Sequence, residues 1–554
     1  MRKRLLLGGV LFGMLLCGLL LGHATITTSK ANEENLEFQK VMSHLEVIAK
    51  EVHPTGTEEN DRVKEYLRGE FKRMGCEVWE ETFTAVAYTS VTDHQKVPYV
   101  NFLITLDVPE TTEGVMLVSH YDSTPGGPGA ADDGISVASM LVALEQSMTT
   151  YRAGKLTNDM YFLFTDGEEL GLIGATHFVN HHSDMREYVK LVANFEARGN
   201  DGALLMFQTS PNSNRLIHQL KKAVSNVDAF SVAASIYETM PNDTDLTCFL
   251  DAGYPSCLNF AMIDGSETYH QATDTYENIS RDSAYRYYET VTELANYFGT
   301  ADLNQLTDDE DAVYFPTIGG SIFVLSSAIA NGVTALLAVM LLGWIIFLLI
   351  RRKVSGKELL KALGFFVTSI LGTTLFTKGY LLCLEKVLKA DRPIDEYMRL
   401  LDHINIGLAV MICFWITALA IYFSKHAKTH QEYLLVAAII CAMGGIALMV
   451  FFDSLIYLFL FPLLILFLQS VISYNMERKG KNTKSIHLLF AISMIFTMAI
   501  ILYPLIKVVF DCFGNGFILY YGLLEAFGVY LINVCNIGTL NSDLKEKELH
   551  DEYI

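Results

Sequence analysis

The chain has 554 residues, 51% of them hydrophobic, with 41 lysines and arginines against 62 aspartates and glutamates. A formal net charge of −21 excludes a nucleic-acid partner, because phosphate binding needs a basic face. The length calls for at least two units, and a mean hydropathy of +0.28 is too apolar for an ordinary soluble protein.

From the N-terminus, Arg2, Lys3 and Arg4 precede an apolar run from Leu5 to Gly22. Residues 1–24 read as a membrane anchor or a signal segment. The run exceeds a usual signal core, which favours the anchor, and either reading sends the following residues across the membrane. A globular domain is expected over 35–305, with helices near 58–74, 134–148, 213–226 and 283–298. Strands are expected near 115–119, 159–164, 191–195 and 257–262. This alternation predicts an α/β domain, a sheet flanked by helices. A linker follows over 306–328. A membrane domain of about seven helices then occupies 329–540, with spans near 329–350, 362–383, 404–424, 433–452, 455–474, 487–507 and 515–536. Basic clusters at Arg351–Lys353, Lys425/Lys428 and Arg478–Lys484, with the N-terminal one, place residues 25–325 outside the cytoplasm and leave a disordered cytoplasmic tail over 541–554. Glu525, inside an apolar run, is a functional candidate, whereas Asp453 reads as interfacial.

In open α/β sheets, functional residues gather beyond the C-terminal ends of strands. The first of these strands runs into His120-Tyr121-Asp122, and a loop reading PGGPGA leads to Asp132-Asp133-Gly134. The second ends in Asp166-Gly167-Glu168-Glu169, the third in Glu196, and Tyr269-His270 follows the fourth. Imidazole and carboxylate are the usual ligands of catalytic zinc. Two zinc ions about 3.5–4 Å apart need a bridging ligand, and a carboxylate can offer one oxygen to each. In a pair such as Glu168-Glu169, one carboxylate can bind metal while its neighbour handles a proton. The His-x-Asp spacing suits a histidine ligand steadied by a carboxylate. None of the nine cysteines forms a CxxC pair; Cys248 and Cys257 could pair in an oxidising compartment.

HYDS…PGAADDG, DGEELGLIGA, NFEARG and YHQATDTYEN, in this order, closely resemble the motifs of metallopeptidase family 28, the zinc aminopeptidases. The resemblance covers roughly residues 40–300. AVYFPTIGGSIFV, with spans behind it, resembles the endoplasmic-reticulum metallopeptidase and vacuolar membrane protease group. The resemblance implies a helix-flanked mixed sheet of the zinc aminopeptidase type and two zinc ions bridged by Asp132. Glu169 and His270 would complete one metal site, His120 and Glu196 the other. Glu168 would be the general base, and Asp122 would orient His120. Many soluble members have aspartate where Glu196 stands. Asn242–Asp245 is similar to a segment lining the family's substrate pocket, so Asp243 joins Arg198 and Tyr269 as substrate-binding candidates.

Plainer readings apply elsewhere. Asp133 fits a helix cap or a support behind the neighbouring ligand, Asp166 a turn residue, and Arg198 a structural partner for a ligand carboxylate. His177, His181 and His182 read as solvated. The leading expectation is a membrane-anchored aminopeptidase acting on peptides outside the cytoplasm, at the cell membrane and in contact with lipid. The alternatives are glutaminyl cyclisation, which needs one zinc, and a peptidase-like receptor or transport module.

Overall fold

The computed structural model describes residues 30–86, 96–387, 394–513 and 518–552; the expected N-terminal anchor lies outside them. The chain divides into two compact units, with the boundary between Ser326 and Ser327.

In the first unit, α1 (Leu36–Ile48) and α2 (Glu58–Met74) precede the paired strands β1 (Val78–Val86) and β2 (Lys96–Leu106). The α2 boundaries follow local signals. Thr57 accepts a hydrogen bond from Asn60 N, acidic residues fill the first turn and basic residues the last, and Gly75 closes the helix at φ +69°. There follow β3 (Gly114–His120), a wide turn over Ala130–Gly134, α3 (Ile135–Arg152), β4 (Asp159–Thr165), α4 (Ile173–His181), the single turn α5 (Met185–Tyr188) and β5 (Val189–Ala197). Then come β6 (Asp201–Thr209), α6 (Asn214–Ala223), β7 (Asp228–Ala229), α7 (Ser231–Tyr237), α8 (Asp245–Asp251), β8 (Cys257–Asp264) and α9 (Arg281–Phe298).

The sheet order is β1-β2-β4-β3-β5-β8-β6-β7. The central strands β4, β3, β5 and β8 run parallel, and β2 and β6 flank them antiparallel. Alternation along β3 shows why it is apolar throughout. Val115 and Leu117 join the larger core with α1, α2, α3 and α9, while Met116 and Val118 join Phe178, Leu246 and Phe249 on the other face. A strand buried on both faces carries no polar alternation. All four parallel strands end at one edge, so His120, Thr165-Asp166, Glu196 and the residues after Asp264 emerge together.

The segment expected as a linker contains a hairpin, β9 (Ala312–Thr317) with β10 (Ser321–Ser326). Ala312, Tyr314 and Ile322 lie in the larger core, and Ser231 Oγ donates to Tyr314 O at 3.1 Å. Gly319 and Gly320, at φ +91° and +75°, make the turn that sequence reading passed over.

The second unit contains α10 (Ser327–Ile350), α11 (Gly356–Val387), α12 (Ile394–His426), α13 (Gln431–Phe451), α14 (Tyr457–Arg478), α15 (Lys484–Phe513) and α16 (Ile518–Glu552). All seven are long and apolar enough to cross a membrane. Buried amide and hydroxyl groups link them: Trp344 Nε1 donates to Ser470 Oγ at 2.8 Å, and Gln469 Nε2 to Cys535 O at 2.7 Å. Glu525 lies half-buried in α16. That helix extends through Glu552, over residues expected as a tail, where Lys545-Glu546-Lys547-Glu548 are strong helix formers.

Candidate metal centre and active site

Four histidine–carboxylate separations organise the strand-end basin. His120 Nε2 is 3.2 Å from Asp132 Oδ1 and 3.5 Å from Glu196 Oε2. His270 Nε2 is 3.2 Å from Asp132 Oδ2 and 3.3 Å from Glu169 Oε2. Asp132 thus turns one oxygen to each histidine–glutamate set. Donors about 2.0–2.2 Å from a tetrahedral ion stand roughly 3.3–3.6 Å apart, which these spacings match. Ligand atoms of His120, Asp132 and Glu169 lie within 4.8 Å of one another, a grouping able to hold a metal ion.

The hydrogen bonding supports a cation. His120 Nδ1 lies 3.0 Å from the backbone carbonyl of Asp122, which can only accept, so Nδ1 carries a proton. Nε2 of the neutral ring is then a lone pair facing two carboxylates. His120 Nε2 and Glu169 Oε1 are both buried without a hydrogen-bond partner. Buried atoms of this kind need a bound group to satisfy them. Burial opposes a charged His120, but Asp122, Asp132 and Glu196 outweigh it and push its pKa well up. Positive charge belongs at this nitrogen, as a proton or as a metal ion.

The surrounding residues fix the donors. Asp122 does more for the glutamate turn than for His120. Its Oδ1 accepts from Gly167 N at 2.8 Å and Glu168 N at 3.2 Å, and its Oδ2 from Glu169 N at 3.3 Å. Its carboxylate stays 3.5 Å from His120 Nδ1, so the ring is held mainly through the Asp122 carbonyl. Asn194 Nδ2 donates to Glu196 Oε1 at 3.2 Å, and Asp274 accepts from Ala131 N at 2.8 Å and Asp132 N at 3.2 Å. Asp133 makes no cap to the helix backbone; it accepts from Ser119 Oγ at 2.6 Å and from Ser136 Oγ. The glycines of PGGPGA allow the loop to lie against the His270 segment. A Cβ on Gly126 would stand 2.2 Å from His270 O, and one on Gly127 2.0 Å from Gln271 O. His270 itself sits at φ +59°, a left-handed conformation uncommon outside glycine.

Glu168 is half-buried beside the basin and, among the described residues, makes no ion pair of the kind that holds Glu169. Burial, then the charge of Glu196, pushes its pKa well up; burial, Asp132 and Glu168 do the same to Glu169.

The remaining candidates are more scattered. Arg198 stands 5.8 Å over the Tyr269 ring, and Tyr269 stacks on His270 at 3.7 Å. Arg198 therefore packs against an aromatic ring instead of a ligand carboxylate. Asp243 is exposed, whereas its neighbour Asp245 is buried and bound by Thr165 Oγ1. Burial holds the Asp245 carboxyl up at about 7. Asp166 is fully buried and paired with Lys64 at 3.2 Å, which a turn residue would not be. Cys248 and Cys257 are free thiols; Cys248 Sγ lies 3.4 Å from Thr176 Oγ1. His177 and His182 are partly buried around Glu81, not solvated. Sequence reasoning missed Tyr237, which is half-buried and whose pKa is raised by burial and then by the charges of Glu196, Asp243 and Glu168. No local motif marks it among the 27 tyrosines.

A mixed sheet presenting two such donor sets at its strand ends defines a metallopeptidase-type domain. Residues 101–295 match Peptidase family M28, and the chain carries a domain of that family. It is 28% identical over 326 residues to the vacuolar membrane protease of Saccharomyces cerevisiae, covering 53% of this chain and 32% of that protein. It is 31% identical over 239 residues to the putative endoplasmic reticulum metallopeptidase 1 of Schizosaccharomyces pombe, covering 41% and 28%. The match thus spans about a third of the length of these relatives. Similar solved structures include an aminopeptidase from Aneurinibacillus sp. strain AM-1 (13% identity, TM-score 0.40, 49% of this chain and 96% of that one). Another is the Fimbriiglobus ruber glutaminyl cyclase (16%, TM-score 0.39, 50% and 100%).

Proposed function

We propose that this protein is a membrane-anchored aminopeptidase that holds two zinc ions and removes residues from peptide N-termini outside the cytoplasm. The observation that carries the reading is the Asp132 carboxylate, turned with one oxygen toward each histidine–glutamate set. His120, Glu196 and Asp132 would hold one ion, and His270, Glu169 and Asp132 the other. Bound there, zinc would polarise the scissile carbonyl and lower the pKa of water toward ~7.

The chain's own residues do the rest. Glu168 takes the proton from the attacking water and returns it to the leaving amine; its raised pKa suits a group that must both accept and donate. The carboxylates around the basin favour a cationic N-terminus over a neutral internal peptide bond. Asp122 keeps the turn of Glu168 and Glu169 in register with His120. Arg198, Tyr269 and Asp243 are assigned to the substrate's first residues, a reading supported for the first two by the packing of Arg198 on Tyr269 and of Tyr269 on His270.

Elemental analysis of the purified full-length protein, combined with a panel of aminoacyl fluorogenic substrates, tests this. Two zinc ions per chain and release of the N-terminal residue are expected. One ion that added zinc cannot raise to two, with cyclisation of N-terminal glutamine, would replace the reading by glutaminyl cyclase. Bound metal without hydrolysis of any kind would favour the receptor module.

The orientation rests on the four basic clusters of the sequence, and the cell membrane is the location proposed with it. A cysteine at the exposed Lys155 should react with a membrane-impermeant maleimide on intact cells. Reaction only after lysis would reverse the topology.

A further inference from the structure

On the flank of the first unit, away from the strand ends, α4 and the edge strand β1 bring three histidines and one glutamate together. His177 Nε2 is 3.0 Å and His182 Nε2 3.4 Å from the same atom, Glu81 Oε1. The three side chains are 15–18% exposed, ordered by their neighbours yet reachable from solvent. The rings are held in place. His177 stacks between Phe83, at 3.7 Å and 3°, and His181, at 3.9 Å; His182 meets the edge of Trp79 at 5.2 Å. His181 Nδ1 lies 2.9 Å from the His177 carbonyl, which only accepts, so the lone pair of the neutral ring is on its Nε2.

We propose that Glu81, His177 and His182 form a second, surface metal site that takes a divalent transition ion of the zinc, nickel or copper type. Nitrogen–oxygen separations of 3.0 and 3.4 Å are those of neighbouring ligands on one ion with bonds of about 2.0–2.2 Å. Imidazole with carboxylate selects these ions over calcium or magnesium, which prefer all-oxygen sets. Burial, partly offset by Glu81, holds the His177 pKa below its usual value, so its ring is neutral and able to bind near pH 7. The ion takes the Nε2 lone pair of each imidazole in its Nδ1-protonated neutral form, so a single proton that sits on Nε2 toward Glu81 in the metal-free ring passes through water to Nδ1. The ion replaces two hydrogen bonds to Glu81 and ties α4 to β1. Since α4 begins directly after the turn of Glu168 and Glu169, the site clamps the helix that anchors that turn.

The test uses the full-length protein in detergent, with its strand-end donors intact and then with His120→Ala. Each form is equilibrated with zinc, and bound metal is counted by elemental analysis and followed by calorimetry with nickel. Wild type should hold one ion more than His182→Ala or Glu81→Gln, and each substitution should weaken nickel binding at least tenfold. Copper at this site should show nitrogen hyperfine coupling that is reduced in His182→Ala. His120→Ala should keep the surface ion, which separates this site from the strand-end centre whether or not the aminopeptidase reading holds. His182→Ala leaves the Phe83 stack untouched, so it stands even if His177→Ala fails to fold. Unchanged stoichiometry and affinity in both His182→Ala and Glu81→Gln would overturn the proposal.

Discussion

The two units bury polar groups in opposite ways. In the first, ionisable side chains converge: Asp122, Asp132, Asp133, Asp245 and Glu196 are all buried within the neighbourhood of His120. In the second, the buried polar residues among those described are mostly neutral. Gln431 donates to Ser473 Oγ at 3.0 Å and Ser470 Oγ donates to Gln431 Oε1 at 2.7 Å, closing a small network between α13 and α14. Concentrating charge costs solvation and raises carboxyl pKa values, so such a cluster persists where chemistry uses it. Neutral hydrogen bonds between spans hold helices together without an ionic desolvation cost. One unit stores electrostatic work in its basin; the other spreads modest contacts over many helices.

The largest expected effect tests whether the charged basin is catalytic. Glu168→Gln keeps shape but cannot take a proton, so turnover should fall roughly 10²–10⁴-fold with metal content unchanged. Glu169→Gln should instead lose metal, because a neutral amide is a much poorer ligand. Metal analysis and steady-state kinetics on the two variants decide it. Opposite signatures would reverse their assignment, and full activity in both would remove the basin from the chemistry.

Next is the buried charge that does no chemistry. Lys64 and Asp166 are 4% and 0% exposed and 3.2 Å apart. Lys64→Met strands Asp166, which also accepts from Thr55 Oγ1 and Val100 N, and should cost about 3–5 kcal/mol. Lys64→Met with Asp166→Asn should recover much of that loss, because the uncompensated charge is gone. Chemical denaturation of the three variants measures it. Equal destabilisation in the single and double variants would show that packing, not charge, holds α2 to the sheet.

These residues also show what the sequence reveals and what it hides. His120 and Glu196 stand at the ends of apolar strands and Glu169 and His270 in the turns that follow two others, so the local pattern alone places them at one sheet edge. Asp132 and the sharing of ions among the five came only from the family resemblance. Pairings across long separations were not. Asp166 looks like a turn residue until Lys64, 102 positions earlier, is packed against it, and His177 and His182 look solvated until β1 brings Glu81 across. The spans were legible from length and apolarity alone, while the hairpin at 312–326 was hidden because two short strands around Gly319-Gly320 lay in a stretch read only as the linker before the first span.

A third test addresses the neutral side of the contrast. Gly538 lies against His487, and an added Cβ would stand 2.4 Å from its ring. The ring cannot easily yield, since Gln469 Nε2 lies 2.9 Å from His487 Nδ1 and also binds Cys535 O. Gly538→Ala should therefore destabilise the membrane unit by about 1–3 kcal/mol despite alanine's better helix propensity. In a His487→Ala background the same change should be neutral or stabilising. A thermal melt in detergent reads both. Equal loss in both backgrounds would mean that the ring contact is not what the glycine accommodates.

The smallest effect concerns a buried carboxyl distant in role from the basin. Asp228 is 6% exposed, and burial, opposed only by Arg286, holds its pKa up at about 7. In an unfolded chain the same group titrates near ~3.9. Between these values the folded state binds more protons than the unfolded state, so this group's contribution to stability falls as pH rises from about 4 through 7. From pH 6 to pH 8 the loss should be roughly 1 kcal/mol. Asp228→Asn, which cannot ionise, should flatten that part of the profile and leave the rest unchanged. The comparison is a difference between two denaturation profiles, so other titrating groups cancel. A stability that rises across this window for wild type relative to Asp228→Asn would mean that Arg286 neutralises the ionised carboxylate. Asp228 would then join Lys64 and Asp166 as a true buried ion pair.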